Sequence, residues 1–225
     1  MLQTDPANSP TPEFPAEMRR LLQARHHDPF SVLGRHGLAG KEMVRAFIPG
    51  AAWVRLVATG ATLERIGNTD LFDWHGEAGQ VPDRYRLAWR DAHGTEHTSY
   101  DPYCFLPQLS EYDLHLFGEG KHWHIYRVLG SHQVQVDGID GVLFAVWAPS
   151  AERVSVVGDF NHWDGRHHPM RVRGSSGVWE LFIPDLNPGM PYKYEIRTMS
   201  HGSILLKTDP YAQHFELRPA TASRI

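Results

Sequence analysis

The sequence has almost no cysteine. Cys104 is the only one in 225 residues, so no internal disulfide can form and nothing in the thiol content points to an oxidising compartment. Basic excess is missing too. Lys and Arg number 22 against 26 Asp and Glu, a formal charge of −4, which argues against a nucleic-acid partner. No window approaches the ~18 consecutive apolar residues of a membrane span. The opening MLQTDPANSPTPEFP has neither the basic nor the apolar region of a secretory leader. The reading is a cytoplasmic protein with no membrane partner. Phosphate loops, Gly-rich dinucleotide motifs and nucleophile elbows are likewise missing. Fifteen histidines include the close pairs His26-His27, His122/His124 and His167-His168. None falls at His-Glu-x-x-His spacing or in a Cys/His tetrad, so no metal and no cofactor is expected.

What is present is β texture. Hydrophobic residues make up 41% and aromatics 11%, ample for a core. After a lead-in over 1–14 rich in Pro, Ser and Thr, AEMRRLLQAR reads as a helix, with Met18, Leu21, Leu22 and Arg25 on one side. Pro29 ends it, because the residue before proline is pushed out of the helical region. From Met43 onward come MVRAFIP, WVRLVAT, a stretch around LFDW, and RYRLAWR. In the last, Tyr85, Leu87 and Trp89 alternate with Arg84, Arg86 and Arg90. Short strands at this spacing predict an antiparallel sandwich. Gln108 to Gly120 changes period. Leu109, Tyr112, Leu116 and Phe117 recur at helical spacing behind the capping pair Ser110/Asp113, which predicts a linking helix with its apolar face packed between two domains.

Then the pattern starts again. Val32-Leu33-Gly34-Arg35-His36 returns as Val128-Leu129-Gly130-Ser131-His132. VRAFIPGAAWVRLV is answered by FAVWAPSAERVSVV, and Asp101-Pro102-Tyr103 by Asp209-Pro210-Tyr211. Two copies of about a hundred residues suit one sandwich each. In the second, VWELFI is apolar on both faces and reads as a central strand. YKYEIR alternates, turning Tyr192, Tyr194 and Ile196 inward and Lys193, Glu195 and Arg197 outward. The fold class is therefore all-β: two tandem immunoglobulin-like sandwiches, a short helical linker and a short amino-terminal helix.

Paired carboxylates could signal glycosidase chemistry, which places two of them roughly 5–10 Å apart across a cleft. Glu111/Asp113 sit on the linker helix and Asp137/Asp140 in a turn that favours Asp anyway, so neither pair is assigned a catalytic role. The sharpest candidate is the loop DFNHWD that ends the strand VSVV. A sugar ring has an apolar face and a polar rim, and Trp163 could meet the first while Asn161 and Lys193 meet the second. The plainer alternative is Trp163 folded under the loop as core. One indole face is worth only about 1–2 kcal/mol, against the roughly 4 kcal/mol of millimolar binding. Such a platform tethers a polymer weakly, through repetition.

HHDPFSVLGRH, YRVLGSH, FAVWAPSAERVSVVGDFNHWDGRHHPM, GVWELFIP, YKYEI, KTDPYA and RPATASRI together resemble the amino-terminal region of bacterial 1,4-α-glucan (glycogen) branching enzymes. The resemblance implies an extra amino-terminal β-sandwich over 15–106, a linker over 107–127, and a carbohydrate-binding module of family 48 over 128–217. It makes 218–225 the start of a connection to an α-amylase-type barrel. In that family the catalytic residues lie in the barrel, so no position here inherits a catalytic role and no branching activity is expected of this chain. The whole enzymes cut an α-1,4 bond through a covalent glucosyl intermediate and transfer the segment to a 6-hydroxyl. The resemblance also implies α-1,4-glucan (glycogen, amylose) and the barrel as partners, and assigns carbohydrate binding to Trp163 and Lys193. Where other members carry a further tryptophan, this chain has His201-Gly202-Ser203-Ile204, a reduced site. Two competing expectations are a purely structural scaffold without a sugar site, and the same module pair from a debranching or trehalose-releasing relative.

Overall fold

A computed structural model describes residues 14–225. The expected disordered lead-in over 1–14 lies, apart from Phe14, outside the described residues. The helix α1 spans Ala16–Leu22 and stops earlier than its periodicity predicts, because the chain turns through a left-handed Ala24. Pro15 precedes the helix and its carbonyl accepts from the Arg19 N–H at 3.0 Å.

Seven antiparallel strands follow: β1 (Gly34–Leu38), β2 (Lys41–Phe47), β3 (Trp53–Leu56), β4 (Thr62–Arg65), β5 (Leu71–Glu77), β6 (Arg86–Arg90) and β7 (Glu96–Tyr100). They form one sheet in the order β1-β2-β5-β4-β3-β6-β7. The sheet folds back on itself at β4, whose ends pair with both β5 and β3. Val44, Ala46 and Phe72 of one arm thereby meet Val54, Leu56, Tyr85 and Leu87 of the other in a closed core.

The linker helix α2 spans Glu111–Gly118, and the Ser110 hydroxyl caps the Asp113 N–H at 3.0 Å. Its packing differs from the sequence reading. Tyr112 is exposed, while Leu114 and Phe117 lie against the apolar cluster built from Leu129, Leu143, Val178 and Phe182. The linker therefore roofs the second β unit. A buried carboxylate fixes it there: Glu180 accepts from the Leu109 N–H at 2.8 Å and from Arg173 at 3.0 Å.

The strands of the second unit are β8 (Gly130–Val136), β9 (Ile139–Trp147), β10 (Ala151–Gly158), β11 (Arg171–Val172), β12 (Val178–Pro184), β13 (Pro191–Thr198), β14 (Ile204–Lys207), β15 (His214–Phe215) and β16 (Ser223–Arg224). One sheet runs β11-β12-β9-β8 and the other β10-β13-β16-β15, with β14 also paired to β13. Val142, Phe144, Trp179 and Leu181 face Val154, Val156, Tyr192 and Tyr194 across the sandwich. The linker covers the opposite face of β9 and β12, which is why both strands read as unbroken apolar runs. The tail, which the sequence suggested as the start of an outgoing connection, folds into this sheet: β16 pairs with β13 and β15, and Ala222 and Ser223 are buried.

The duplication holds atom by atom. Tyr85 donates its hydroxyl to Asp101 at 2.5 Å, and Tyr192 donates to Asp209 at 2.6 Å. The other oxygen of each carboxylate takes a backbone N–H two residues on, Tyr103 at 3.0 Å and Tyr211 at 2.8 Å. His36 reaches the Leu33 carbonyl at 3.1 Å and His132 the Leu129 carbonyl at 3.0 Å. Gly34 and Gly130 both have positive φ, 91° and 112°, and both lie against the backbone of the tyrosine that follows the Asp-Pro pair.

The two units are also joined by apolar contact. Met18 and Leu21 of α1, with Leu33, Phe47 and Leu71, belong to the same cluster as Val154, Val156 and Met170. The Arg171 guanidinium sits over the Phe30 ring at 3.2 Å, and Arg25 bonds Glu152 at 2.8 Å.

A Cβ on Gly34 would lie 2.6 Å from the Tyr103 carbonyl oxygen, whereas one on Gly130 would lie 3.2 Å from that of Tyr211. Gly34→Ala is therefore expected to cost about 2–3 kcal/mol and Gly130→Ala less, since both meet left-handed strain but only the first meets a hard clash. Urea denaturation of the two variants checks the order.

Candidate functional site

Strand β10 ends at Gly158, and the chain then loops over the outer side of its own strand before returning at Met170. The cover is polar beneath. Arg153, buried on that outer side, donates to the Ser155 hydroxyl at 2.6 Å and the Gly165 carbonyl at 2.6 Å, and also bonds Glu195. Gly165 lies so close to this pair that a Cβ there would collide with the Glu195 carboxylate.

Asn161 is buried at the centre of the loop. Its Oδ1 accepts from the Gly158 N–H at 3.0 Å, and its Nδ2 donates to the Val156 carbonyl at 2.8 Å and to His168 Nδ1 at 2.8 Å. All three of these bonds run to the loop and the strand beneath it, so the amide does not face a ligand as the sequence suggested. It staples the loop to β10. His168 serves as acceptor only when neutral, and burial pushes its imidazole down to about 3.

The staple holds an unusual backbone. His162 and Trp163 both adopt left-handed conformations, with φ of 54° and 59°. Each non-glycine residue there costs about 1–3 kcal/mol and persists where surrounding bonds over-determine it. Trp163 is fixed twice: its N–H bonds the Gly158 carbonyl at 2.9 Å, and its indole N–H bonds Asp159 Oδ1 at 2.8 Å. The ring is half-buried, so one part remains against solvent.

Lys193 is the cross-strand partner of Val157 in the β10–β13 pair. Trp163, anchored at Gly158, thus sits at the same end of that pair. The lysine is half-exposed and its Nζ donates to the Thr221 hydroxyl at 2.7 Å. The structure brings Trp163 and Lys193 to one strand end and puts Asn161 underneath. Asp159, Thr221 and His168 were missed in the sequence. Asp159 stands four residues before Trp163, but nothing in that spacing announces an indole acceptor.

A loop-borne aromatic is thus set in a strained turn at the end of a strand pair that also bears a lysine, on a two-sheet sandwich, and the family matches give that sandwich its class. Residues 128–212 match carbohydrate-binding module 48 (isoamylase N-terminal domain). Residues 15–103 match the N-terminal domain of alpha-1,4-glucan branching enzyme GlgB. The 1,4-alpha-glucan branching enzyme GlgB of Methylococcus capsulatus is 59% identical over 95% of this chain and 29% of its own length. That of Nitrosococcus oceani is 57% identical over 98% of this chain and 30% of its own length. The chain is thus similar to the amino-terminal portion of GlgB branching enzymes, with a GlgB amino-terminal domain followed by a carbohydrate-binding module 48. It spans about three-tenths of the length of the curated relatives it matches.

Asn161→Ala should leave the Gly158 N–H and Val156 carbonyl unpaired and cost about 2–3 kcal/mol, whereas Trp163→Ala should cost well under that. Chemical denaturation separates the two. The loop should also weaken in acid. A histidine whose folded pKa lies below its unfolded value contributes stability that is present above 6.5 and lost as pH falls from there toward about 3. The buried Asp101 carboxyl, raised to about 6, acts in the opposite sense over part of that range. The difference between wild type and His168→Gln therefore isolates the histidine: it should shrink as pH is lowered from 7 to 4 in a series of urea midpoints.

Proposed function

We propose that this chain holds and orients α-1,4-glucan (glycogen or amylose) for a catalytic barrel carried elsewhere in the longer branching enzyme, and that it has no branching activity of its own. The observation that carries the reading is Trp163. Its ring is clamped at both its backbone and its indole N–H, in a turn that costs energy to keep, at the strand end that also bears Lys193. A rigid indole loses little conformational freedom when a sugar stacks on it. Trp163 supplies the apolar plane, Lys193 and its partner Thr221 the hydroxyl-binding rim, and Asn161 the support beneath. The division at 15–106, 107–127 and 128–217 belongs to the same proposal, as does a cytoplasmic setting.

The scaffold reading is favoured by a different face. Ile204, Leu206, Phe215 and Leu217 on and beside β14 and β15 are exposed, apolar surface of a kind that proteins commonly cover. Packing of the barrel against this face is compatible with glucan held at Trp163, so the two roles belong to one molecule.

Affinity electrophoresis in amylopectin tests the sugar site. Wild type should be retarded with a dissociation constant in the millimolar range, and Trp163→Ala should lose most of the retardation. Equal mobility of the two proteins would leave the scaffold role alone.

A further inference from the structure

A concavity of about 660 Å³ lies where the two β units meet. One wall comes from β6, β7 and the turn between them, the other from the Trp163 loop and the segment after β12. Apolar side chains line it from both units, Ile48 from the first and Leu186 from the second, and its size falls within the range of small-ligand cavities, about 300–1,000 Å³.

Three properties of the lining define what fits. A flat face stands ready: the Trp89 and His97 rings stack with centroids 5.3 Å apart and planes 19° from parallel. That face is rigid, because Asp91 accepts from His97 at 2.8 Å and from the His93 and Thr95 N–H groups at 2.9 Å each. The bond from His97 holds the Asp91 carboxyl down at about 2. Charge is the third property. No lysine or arginine lines the cavity among the described residues, while Asp91, Glu96, Asp185 and the buried Asp101 do. Phosphorylated ligands would meet these carboxylates without a lining lysine or arginine to receive the phosphate. A cationic ligand fares little better, because Glu96 is already paired with Arg90 and Asp91 with His97. Neutral hydroxyls can donate to carboxylates and imidazoles, and an apolar sugar face can lie on Trp89.

We infer that the cleft between the two β units binds a short segment of neutral α-glucan, entering past His162 from the Trp163 loop. The inference rests on the α-glucan reading above and extends it. His162 lines the cleft and is the residue directly before Trp163, so one loop borders both places. A chain on the indole would continue inward between the units and touch both walls. Binding there stabilises the particular arrangement of the two units that forms the cleft.

The test is an NMR titration of the full 225-residue chain, following histidine ring signals and tryptophan indole signals with maltotriose, maltohexaose and glucose 1-phosphate. Maltotriose is expected to shift His97, His167 and the Trp89 indole, in wild type and equally in Trp163→Ala. His97→Ala and Asp185→Ala should each weaken that response at least tenfold, and these exposed or half-exposed positions avoid dependence on a Trp89 variant that fails to fold. Glucose 1-phosphate should leave the cleft signals still. Maltohexaose should move the cleft and Trp163 signals together. Cleft signals that stay fixed while the Trp163 indole shifts would overturn this inference and leave the sandwich site intact. Cleft shifts with a silent Trp163 would uphold the cleft and remove the platform. Stillness at both places removes both. Glucose 1-phosphate binding as tightly as maltotriose would also overturn the assignment of a neutral ligand.

Discussion

A carboxylate buried at the same point in each β unit holds that unit closed. Asp101 and Asp209 are nearly inaccessible, yet each is fully engaged, one oxygen taking a tyrosine hydroxyl and the other a backbone N–H. A buried carboxyl without partners would be expensive, and burial raises both pKa values despite the bonds. The arrangement constrains everything around it. The tyrosine must come from the strand that crosses the core, the Asp-Pro turn must follow the last strand of the unit or lie beside it, and a glycine must leave room for the turn's backbone. Those three demands explain why Tyr85, Gly34 and Asp101 recur as Tyr192, Gly130 and Asp209 while surface positions between them have diverged.

The second unit adds something the first lacks. Its β10 is covered on the outer side by its own following loop, and the cover needs a buried arginine, a buried amide and a glycine without a side chain to sit flat. Only on that base can two consecutive left-handed residues be held, and only there does an indole end up clamped rather than free. Preorganisation of a weak stacking surface matters more than contact area when the ligand is a repetitive polymer. The cleft between the units shares this loop, so the rigidity of one place is inherited by the other.

Much of the fold could be read from residues. β6 and β13 alternate as their side chains do, and β9 and β12 announce burial on both faces by being apolar throughout. The duplication was visible because the closing carboxylate, its turn and its glycine are backbone requirements that substitution cannot hide. Other features lay outside the reach of periodicity. Tyr112 and Leu114 stand on the same short helix, and which one is covered depends on where Glu180 and Arg173 pull the linker. The tail RPATASRI carries no strand pattern of its own; it becomes β16 because the gap beside β13 accepts two more residues. Of the site, Trp163 and Lys193 were legible as residue types on a loop and an outward strand face. Asn161 was misjudged as a rim group because an amide's direction is decided by partners at Val156 and His168, one on the strand below and one farther along the loop.

The helix α1 brings a last consequence. Met18 and Leu21, with Leu33, Phe47 and Leu71, complete a core whose remaining walls, Val154, Val156 and Met170 among them, are encoded far downstream. During synthesis this helix leaves the ribosome long before those downstream walls exist, and its apolar side is fully covered only once they have been made. The amino-terminal sheet can close around its own interior early, but its junction face stays wet until the second sandwich appears, and contacts so distant in sequence form slowly. Assembly is thus ordered in time: an early unit holds a docking face ready for a later one, and the mutual seating of the two follows the closing of each.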